Sequence, residues 1–345
     1  MQCTRNFPRC PEGVILGCGN PLLDMRVEVN DAIIADDDRM RMFQELLDNY
    51  DISYTPGGTT QNSLRVCQVK QNFVLLFGCI GDGHYGDILR QKTQEIGLRI
   101  YYQVKEKQKT GTSLCAHLAA ANLFTIDHLE KPESRVLIET AQYFYISGFF
   151  LTVCPAAVMS IAQHASKHSK VFATNLAAPF VLKYFRDEFL GVLPYVDILF
   201  GNERESKAFA DANNYNTHEL QQINMHKKKR TNKQINNYLL YATIVNIMLK
   251  INEKHQRIVI LTQGSDPTIV YQNGNNDAVK YPVKKLKHEE IVDTNGAVMH
   301  LLEVIWLSQY IQQKSVAESV KCGHYAAAVI IQQEGCTLPP ICLYH

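Results

Sequence analysis

The stretch VILGCGNPLLD, residues 14–24, joins a short apolar run to a glycine-rich polar segment. An apolar run of this length next to glycine is typical of a buried strand. Polar side chains that directly follow such a strand lie at the sheet edge where open α/β sheets bind ligands. Similar apolar runs occupy residues 73–78, 143–146, 171–173, 196–200 and 257–261.

Amphipathic stretches with helical spacing separate several of these runs, and residues 156–162 are one example. Strands that are apolar throughout and alternate with helices indicate a mostly parallel sheet covered on both faces. We therefore predict an α/β fold with a doubly wound, mostly parallel sheet. The length of 345 residues suits a single large domain over residues 1–345.

Composition and charge exclude several classes of protein. The net charge of +1 gives no field that would attract nucleic acid or a membrane. No apolar run approaches the roughly 20 residues of a membrane helix, and residues 1–11 lack the apolar segment of a signal peptide. The ten cysteines form no C-x-x-C pair, which argues against a zinc site. We expect a cytoplasmic protein without nucleic-acid or membrane partners.

One segment, residues 225–241, is polar and lacks clean periodicity. It contains the basic run KKKR at residues 227–230. Such a run is compatible with a nuclear-localisation patch. It is also compatible with a solvated surface loop, which we favour because short basic runs are common. A nuclear location therefore remains an alternative to a purely cytoplasmic one.

Two motifs could bind a polar ligand near the predicted strand ends. After the first strand, Asn20 and Asp24 could receive the hydroxyls of a vicinal diol, although a turn with an Asx cap explains them equally well. Further on, Gly57 and Gly58 allow a close backbone approach to a ligand, and Asn62 follows in the first turns of a predicted helix. A glycine turn before a helix is the alternative.

Two further motifs suit phosphate chemistry. Asn202 and Glu205 are three residues apart at the start of a predicted helix, where they could hold water around Mg²⁺. The alternative is an acidic helix start that suits the helix dipole. The turn DTNGA, residues 293–297, could form an anion hole from backbone N–H groups. The glycine-rich segment 78–86 lacks the Lys-Ser/Thr ending of a P-loop.

In their order and spacing, these motifs resemble the ribokinase-like (pfkB) family of sugar and nucleoside kinases. Six segments resemble its adenosine kinase branch: GNPLLD (19–24), GGTTQNS (57–63), GFFLTV (148–153), NLAAPF (175–180), DILFGNE (197–203) and GHYAA (323–327). The resemblance extends over about residues 13–339, with local gaps.

The resemblance implies ATP-dependent phosphorylation of the adenosine 5′-hydroxyl, with adenosine and ATP as partners and Mg²⁺ as cofactor. It also implies a small β lid over the sugar site, formed by segments around residues 20–60 and 105–122, on a monomeric chain. Adenosine kinase resembles this chain more than ribokinase does, because residues 19–24 and 148–152 match the adenosine branch.

Site residues are carried over from the family position by position. The resemblance assigns ribose binding to Asn20, Asp24, Gly57, Gly58 and Asn62. Phe149 and Phe180 would flank the nucleoside. The ATP side would be lined by Asn202, Gln263 and Gly264, with Glu205 bound to Mg²⁺ through water. Asn295, Gly296 and Ala297 would open the anion hole.

The chain departs from the family at the catalytic base. The family signature continues D-T-N-G-A-G-D-A-F, and its second Asp accepts the proton of the 5′-hydroxyl. Here Met299 holds that position, and a thioether cannot accept that proton. A hairpin with an Arg near the phosphates is also missing after residue 116, so the lid is partly truncated. A catalytically impaired nucleoside-binding relative is therefore the alternative function.

A reading-frame shift offers one explanation for Met299. Residues 298–306, VMHLLEVIW, can be encoded by GTGATGCATTTGTTGGAGGTTATTTGG. Read from the third base, the same string encodes Asp-Ala-Phe-Val-Gly-Gly-Tyr-Leu, which is the family's continuation. Because Met and Trp have single codons, the choice of bases is restricted. We therefore interpret residues 298–307 as a candidate frameshift rather than an evolved substitution.

Overall fold

The computed structural model of the chain describes residues 15–26, 48–68, 74–113, 118–214, 250–272, 278–293 and 314–333. The strands are β1 (Ile15–Cys18), β2 (Leu22–Arg26), β3 (Ser53–Gly57), β4 (Val74–Gly81), β5 (Arg99–Lys105), β6 (Tyr143–Ile146), β7 (Val171–Asn175), β8 (Ile198–Asn202), β9 (Ile258–Gln263), β10 (Asp266–Gln272) and β11 (Val279–Tyr281). The α-helices are α1 (Thr59–Gln68), α2 (His84–Glu95), α3 (Asp127–Glu130), α4 (Pro132–Thr140), α5 (Pro155–Lys167), α6 (Pro179–Tyr184), α7 (Arg186–Val192), α8 (Glu203–Ala212) and α9 (Val316–Ile331).

Nine of the strands form one sheet, in the order β11-β10-β9-β8-β7-β6-β1-β4-β5. Neighbours from β9 through to β5 run parallel, while β10 and β11 extend one edge as antiparallel strands. The predicted doubly wound parallel sheet is thereby confirmed. Each predicted apolar run became a strand. Most of these strands extend further toward their carboxyl ends, because buried residues such as Cys18 continue the hydrogen-bonded ladder past the first glycine.

The two faces of the sheet are covered by different helices. Phe77 and Phe144 belong to an apolar cluster that includes Ile161 of α5. Their neighbours in sequence point to the opposite face, where Leu76 packs in a cluster with Val320 of α9. This alternation follows from the two-residue side-chain period of a strand. Because both faces are buried, the strands are apolar throughout, which is the pattern that the sequence displays.

Strand order reverses beside β1. The chain places β4 and β5 on one side of β1 and the strands from β6 to β9 on the other. The connections after β1 and β6 therefore diverge at the carboxyl edge of the sheet and leave a crevice between them. Ligands of open α/β sheets bind at such a switch point.

A separate two-stranded sheet lies beside this crevice. Strands β2 and β3 pair antiparallel, with Leu22 opposite Gly57. Leu23 also bonds to the segment after β5: its N–H donates to the Gly111 carbonyl at 2.9 Å, and the Ser113 N–H donates to the Leu23 carbonyl at 3.2 Å. Backbone hydrogen bonds thus join parts of the two segments that were assigned to the lid.

A cluster of buried charges lies at the opposite, amino edge of the sheet. Lys250 Nζ lies 2.6 Å from Asp197 Oδ1, and the two side chains are 9% and 1% exposed. The Phe172 N–H donates to the other Asp197 oxygen at 2.9 Å. Arg257, which is fully buried, donates to the carbonyls of Val196 and Leu193. The cluster anchors the start of β8 to the segment that precedes β9.

Candidate active site at the strand order reversal

A cavity of about 220 Å³ opens at the crevice beside β1 and β6. Its lining includes Asn20, Leu22, Gly58, Thr60, Ser147 and Phe149. A somewhat larger cavity of about 290 Å³ lies between helices α3, α4 and α5. None of the sequence motifs contributes to that larger cavity. The smaller one is the candidate active site, because the glycine motifs and an aromatic side chain converge on it.

The side chain of Asn20 is the clearest sign of a ligand in this cavity. Both its amide oxygen and its amide nitrogen are buried without a hydrogen-bond partner among the described residues. A buried polar group left in this state costs about 1–3 kcal/mol. Such an arrangement is expected where a ligand or an ordered water supplies the missing partners. Asn20 therefore lies just after the first strand, as predicted from the sequence, and its amide can bond to a ligand hydroxyl.

Gly57 and Gly58 lie so close to neighbouring groups that a side chain at either position would collide with them. Gly58 has a φ of +97°, and a Cβ at this position would lie 2.1 Å from the Asn20 carbonyl oxygen. A Cβ on Gly57 would lie 2.1–2.2 Å from the carboxylate of Asp24. Any larger residue would displace the backbone or the carboxylate. Asp24 thus lies against Gly57 on the small sheet, next to the cavity but not among its lining residues.

Asn62 occupies the first turns of α1, directly after the glycine pair. Its N–H donates to the Gly58 carbonyl at 2.8 Å, and its side-chain oxygen accepts from Arg65 Nη1 at 3.3 Å. The same Arg65 nitrogen donates to the Pro56 carbonyl at 3.0 Å. Arg65 thereby ties β3 to α1 on both sides of the glycine pair. The sequence analysis did not predict a role for Arg65, although its i,i+3 spacing from Asn62 indicates a contact on one helix face.

Thr60 is a second residue that the sequence reading missed. It is 1% exposed, and its hydroxyl donates to the Cys18 carbonyl at 3.2 Å. The Ser147 N–H donates to the same hydroxyl at 3.4 Å. One side chain thus links the carboxyl ends of β1 and β6 to the start of α1.

Two aromatic rings in contact with each other form an aromatic wall beside the cavity, and Phe149 is the one of the two that lines it. Phe149 lies in the 3₁₀ turn Gly148–Thr152, and Phe180 lies in α6. Their ring centroids are 5.9 Å apart with an interplanar angle of 81°, which is an edge-to-face contact. Phe180 is 44% exposed, an unusual state for a phenylalanine that only fills a core. The structure therefore brings together the two rings that were expected to flank a nucleoside.

Asn202 and Glu205 lie at the carboxyl end of β8, where they form a capping box at the start of α8. The Asn202 backbone N–H and Nδ2 donate to the two oxygens of Glu205 at 3.0 and 2.8 Å. Burial raises the pKa of Glu205 to about 7, against the lowering effect of these hydrogen bonds. The structure thus shows the helix cap, while the binding of Mg²⁺ through water stays a prediction.

Gln263 and Gly264 lie in the tight turn between β9 and β10. Gln263 Nε2 donates to the Pro267 carbonyl at 2.5 Å, and Gly264 has a φ of +58°.

Within the described part of the chain, no group of three or more His, Cys, Asp or Glu side chains could hold a metal. The oxygens of Glu205 already accept hydrogen bonds, so this carboxylate fits a Mg²⁺ ion through bound water better than by direct contact.

Several predicted features lie outside the described residues. They are Asn295, Gly296, Ala297 and Met299, the basic run at residues 227–230, and the truncation after residue 116. The last described residue before the anion-hole turn is Asp293, whose N–H donates to the Ile331 carbonyl at the end of α9 at 3.1 Å. Among the helices of the described ranges, none has the length and apolar character needed to cross a membrane.

Comparisons with known proteins identify the family of the chain. Residues 26–342 match the model of the pfkB family carbohydrate kinases. Adenosine kinase 2 of Arabidopsis thaliana is 35% identical over 95% of this chain and 96% of its own length. The adenosine kinase of Dictyostelium discoideum is 33% identical over 94% of this chain and 96% of its own length.

Solved structures give the same result. Anopheles gambiae adenosine kinase, in complex with a di(adenosine-5) tetraphosphate, superposes with a TM-score of 0.79 at 37% identity and covers 93% of this chain and 96% of its own. Schistosoma mansoni adenosine kinase, in complex with adenosine and AMP, gives a TM-score of 0.78 at 25% identity and covers 94% of this chain and 97% of its own. The chain therefore belongs to the pfkB family of carbohydrate kinases, among its adenosine kinases.

Proposed function

We propose that the chain binds adenosine in the cavity beside β1 and β6 and phosphorylates its 5′-hydroxyl with ATP, giving AMP and ADP. The observation that carries this proposal is the buried amide of Asn20, which lacks partners and shares the cavity with Phe149. A nucleoside would satisfy both features, because its sugar offers hydroxyls and its base offers an aromatic face. The Schistosoma mansoni relative was crystallised with adenosine and AMP, which supports this choice of ligand.

The ribose would be held from two sides. Asn20 has both a donor and an acceptor in its amide, and the Asp24 carboxylate accepts hydrogen bonds, so together they suit vicinal hydroxyls. Gly57 and Gly58 would let the sugar approach the backbone closely, and Asn62 would add its amide from α1. The purine would lie against Phe149 and Phe180, where an exposed aromatic wall gains from stacking.

The phosphoryl donor would bind along the carboxyl ends of β8 and β9. Asn202, Gln263 and Gly264 line this edge, and the turn of Asn295, Gly296 and Ala297 would offer backbone N–H groups to a phosphate. When bound, Mg²⁺ and ATP would supply the transferable phosphoryl group and neutralise its charge. Glu205 would orient water around the ion, since its oxygens are already held by Asn202.

The chain would act as a single domain and as a monomer, as the resemblance to the adenosine kinase branch implies. The small sheet of β2 and β3, with the segment after β5, would form a reduced lid over the sugar. The cytoplasm is the proposed location, with the nucleus as the alternative offered by the basic run at residues 227–230.

Calorimetry with adenosine, guanosine and ribose tests the ligand separately from turnover. We expect adenosine to bind more tightly than the other two, because only it combines the ribose with the smaller purine. A phosphorylation assay with ATP and Mg²⁺ then measures the reaction itself. Tighter binding of ribose than of adenosine would contradict the proposal. Adenosine binding without any phosphate transfer would favour the alternative function, a catalytically impaired nucleoside-binding relative in which Met299 replaces the base.

A further inference from the structure

We infer that Asn175 is a positioning residue that holds the aromatic wall of the nucleoside pocket in place. This inference deepens the proposed function and rests on it for the identity of the ligand. Asn175 is the last residue of β7 and is only 9% exposed. It does not line the cavity, and no role follows for it from the motif NLAAPF alone.

The side-chain oxygen of Asn175 serves the turn that carries Phe149. It accepts a hydrogen bond from the Gly148 N–H at 2.8 Å and another from the Ser147 hydroxyl at 3.2 Å. The Ser147 oxygen in turn accepts from the Phe149 N–H at 3.4 Å. One buried acceptor thus fixes three consecutive residues at the carboxyl end of β6, and the last of them supplies an aromatic ring.

The backbone of Asn175 places the second ring. A Cβ on Gly148 would lie 2.3 Å from the Asn175 carbonyl oxygen, so the turns after β6 and β7 pack backbone against backbone. The following Leu176 N–H donates to the Phe200 carbonyl at 2.8 Å, and Ala177 then reverses the chain with a φ of +62°. This path leads directly into α6, where Phe180 lies. Asn175 therefore connects both the turn that carries Phe149 and the segment that leads to Phe180 to the sheet.

Loss of the Asn175 oxygen should loosen the aromatic wall without affecting the nucleotide side. Two donors, the Gly148 N–H and the Ser147 hydroxyl, would lose a shared partner in a buried place. The edge-to-face contact between the rings depends on the position of both turns. By contrast, Asn202 and Gln263 lie on β8 and β9 and share no hydrogen bond with this network.

The test compares Asn175→Leu, which has similar size but no acceptor, with Asn175→Asp, which keeps an oxygen for both donors. We expect Asn175→Leu to raise the calorimetric Kd for adenosine about tenfold, and Asn175→Asp to stay within about threefold of wild type. The Kd for ATP should change little in both variants. Asn252→Leu is the matched control: Asn252 is also buried and accepts from the Lys254 N–H, but it precedes β9 at the amino edge.

Amide hydrogen exchange gives a readout that needs no ligand. In Asn175→Leu, the Gly148 and Phe149 amides should exchange at least about tenfold faster, relative to the amides of β4, than in wild type, whereas Asn252→Leu should leave this ratio unchanged. Equal adenosine affinities or equal exchange rates in wild type and Asn175→Leu would overturn the inference, as would an equal loss in Asn175→Asp. If wild type binds no adenosine, the proposed function fails, and the exchange rates alone decide whether Asn175 positions the turn.

Discussion

Asn202 and Glu205 bond to each other in both directions across the start of α8. Asn202 Nδ2 donates to Glu205 Oε1 at 2.8 Å, and the Glu205 N–H donates to Asn202 Oδ1 at 2.9 Å. The pair caps the helix, and burial nonetheless raises the pKa of Glu205 to about 7. A carboxyl at the proposed phosphate side thus changes its charge near neutral pH.

This raised pKa predicts how stability depends on pH. Because the folded pKa of about 7 exceeds the ordinary value of 4.5, the folded state binds more protons than the unfolded state between these pH values. Stability should therefore fall as the pH rises through this window. Glu205→Gln cannot titrate and should lose less stability than wild type, by roughly 2–3 kcal/mol, between pH 5 and pH 8. Urea unfolding at both pH values measures this difference. An equal change in the free energy of unfolding for Glu205→Gln and wild type would contradict the raised pKa of Glu205.

Strands with both faces buried were predictable, whereas the links between them were not. Residues 73–78 could be read as a strand because every side chain is apolar. The polar contacts that shape the cavity join distant parts of the chain: Thr60 contacts Ser147, and Asn175 contacts Gly148. A single sequence does not indicate such pairs. Strand β10 was also missed, because its apolar run is only three residues long, Ile269 to Tyr271, between a polar start with a proline and Gln272.

The amide of Asn20 should cost stability in the absence of ligand. Since neither amide atom has a partner among the described residues, Asn20→Leu should raise the free energy of unfolding by roughly 1 kcal/mol. The same change should weaken adenosine binding by about 1–3 kcal/mol. Asn252→Leu serves as the contrast, because the Asn252 amide is bonded and its loss should lower stability. Reduced stability of Asn20→Leu would show that the amide has a structural partner.

The contact between Gly57 and Asp24 can be tested by a substitution that leaves the carboxylate in place. A methyl group at Gly57 would lie 2.1–2.2 Å from the carboxylate and should push it aside. Gly57→Ala and Asp24→Ala should each weaken adenosine binding by about 1–3 kcal/mol, and the double variant should be little worse than either. Gly83→Ala is the control, since no atom lies within 4 Å of its Cβ position. Fully additive losses of adenosine affinity would show that Gly57 and Asp24 act independently.

The buried pair of Lys250 and Asp197 should be important for stability. Burial lowers the pKa of Lys250, and Asp197 opposes this effect. Lys250→Met would leave a buried carboxylate without its closest cation, 2.6 Å away, and should cost about 3–5 kcal/mol in urea unfolding. Adding Asp197→Asn should recover part of this loss. Exposed Lys254→Met should change stability by less than about 0.5 kcal/mol. A double variant as unstable as Lys250→Met would argue against the charge as the cause.

Met299 determines how much of the expected activity the chain retains. The proposed ribose-binding residues belong to other segments than residue 299, so adenosine affinity should not depend on residue 299. A positioned general base contributes about 10²–10⁴-fold to such a reaction, and Met299→Asp should raise kcat by a factor in that range over the similarly sized Met299→Asn. Equal kcat values in the two variants would mean that the missing hairpin after residue 116, rather than the missing base, limits turnover.

The origin of Met299 can be decided by sequencing the transcript. A frameshift requires that the bases encoding residues 298–306 also encode Asp-Ala-Phe-Val-Gly-Gly in another frame, and that the original frame returns before the GHYAA segment at residues 323–327. The latter segment forms part of α9, and its His324 Nε2 lies 2.8 Å from the Thr268 hydroxyl of β10. Independent reads that encode Val298-Met299-His300 without the alternative reading would make the methionine an evolved loss of the base. The chain would then bind nucleosides without rapid turnover.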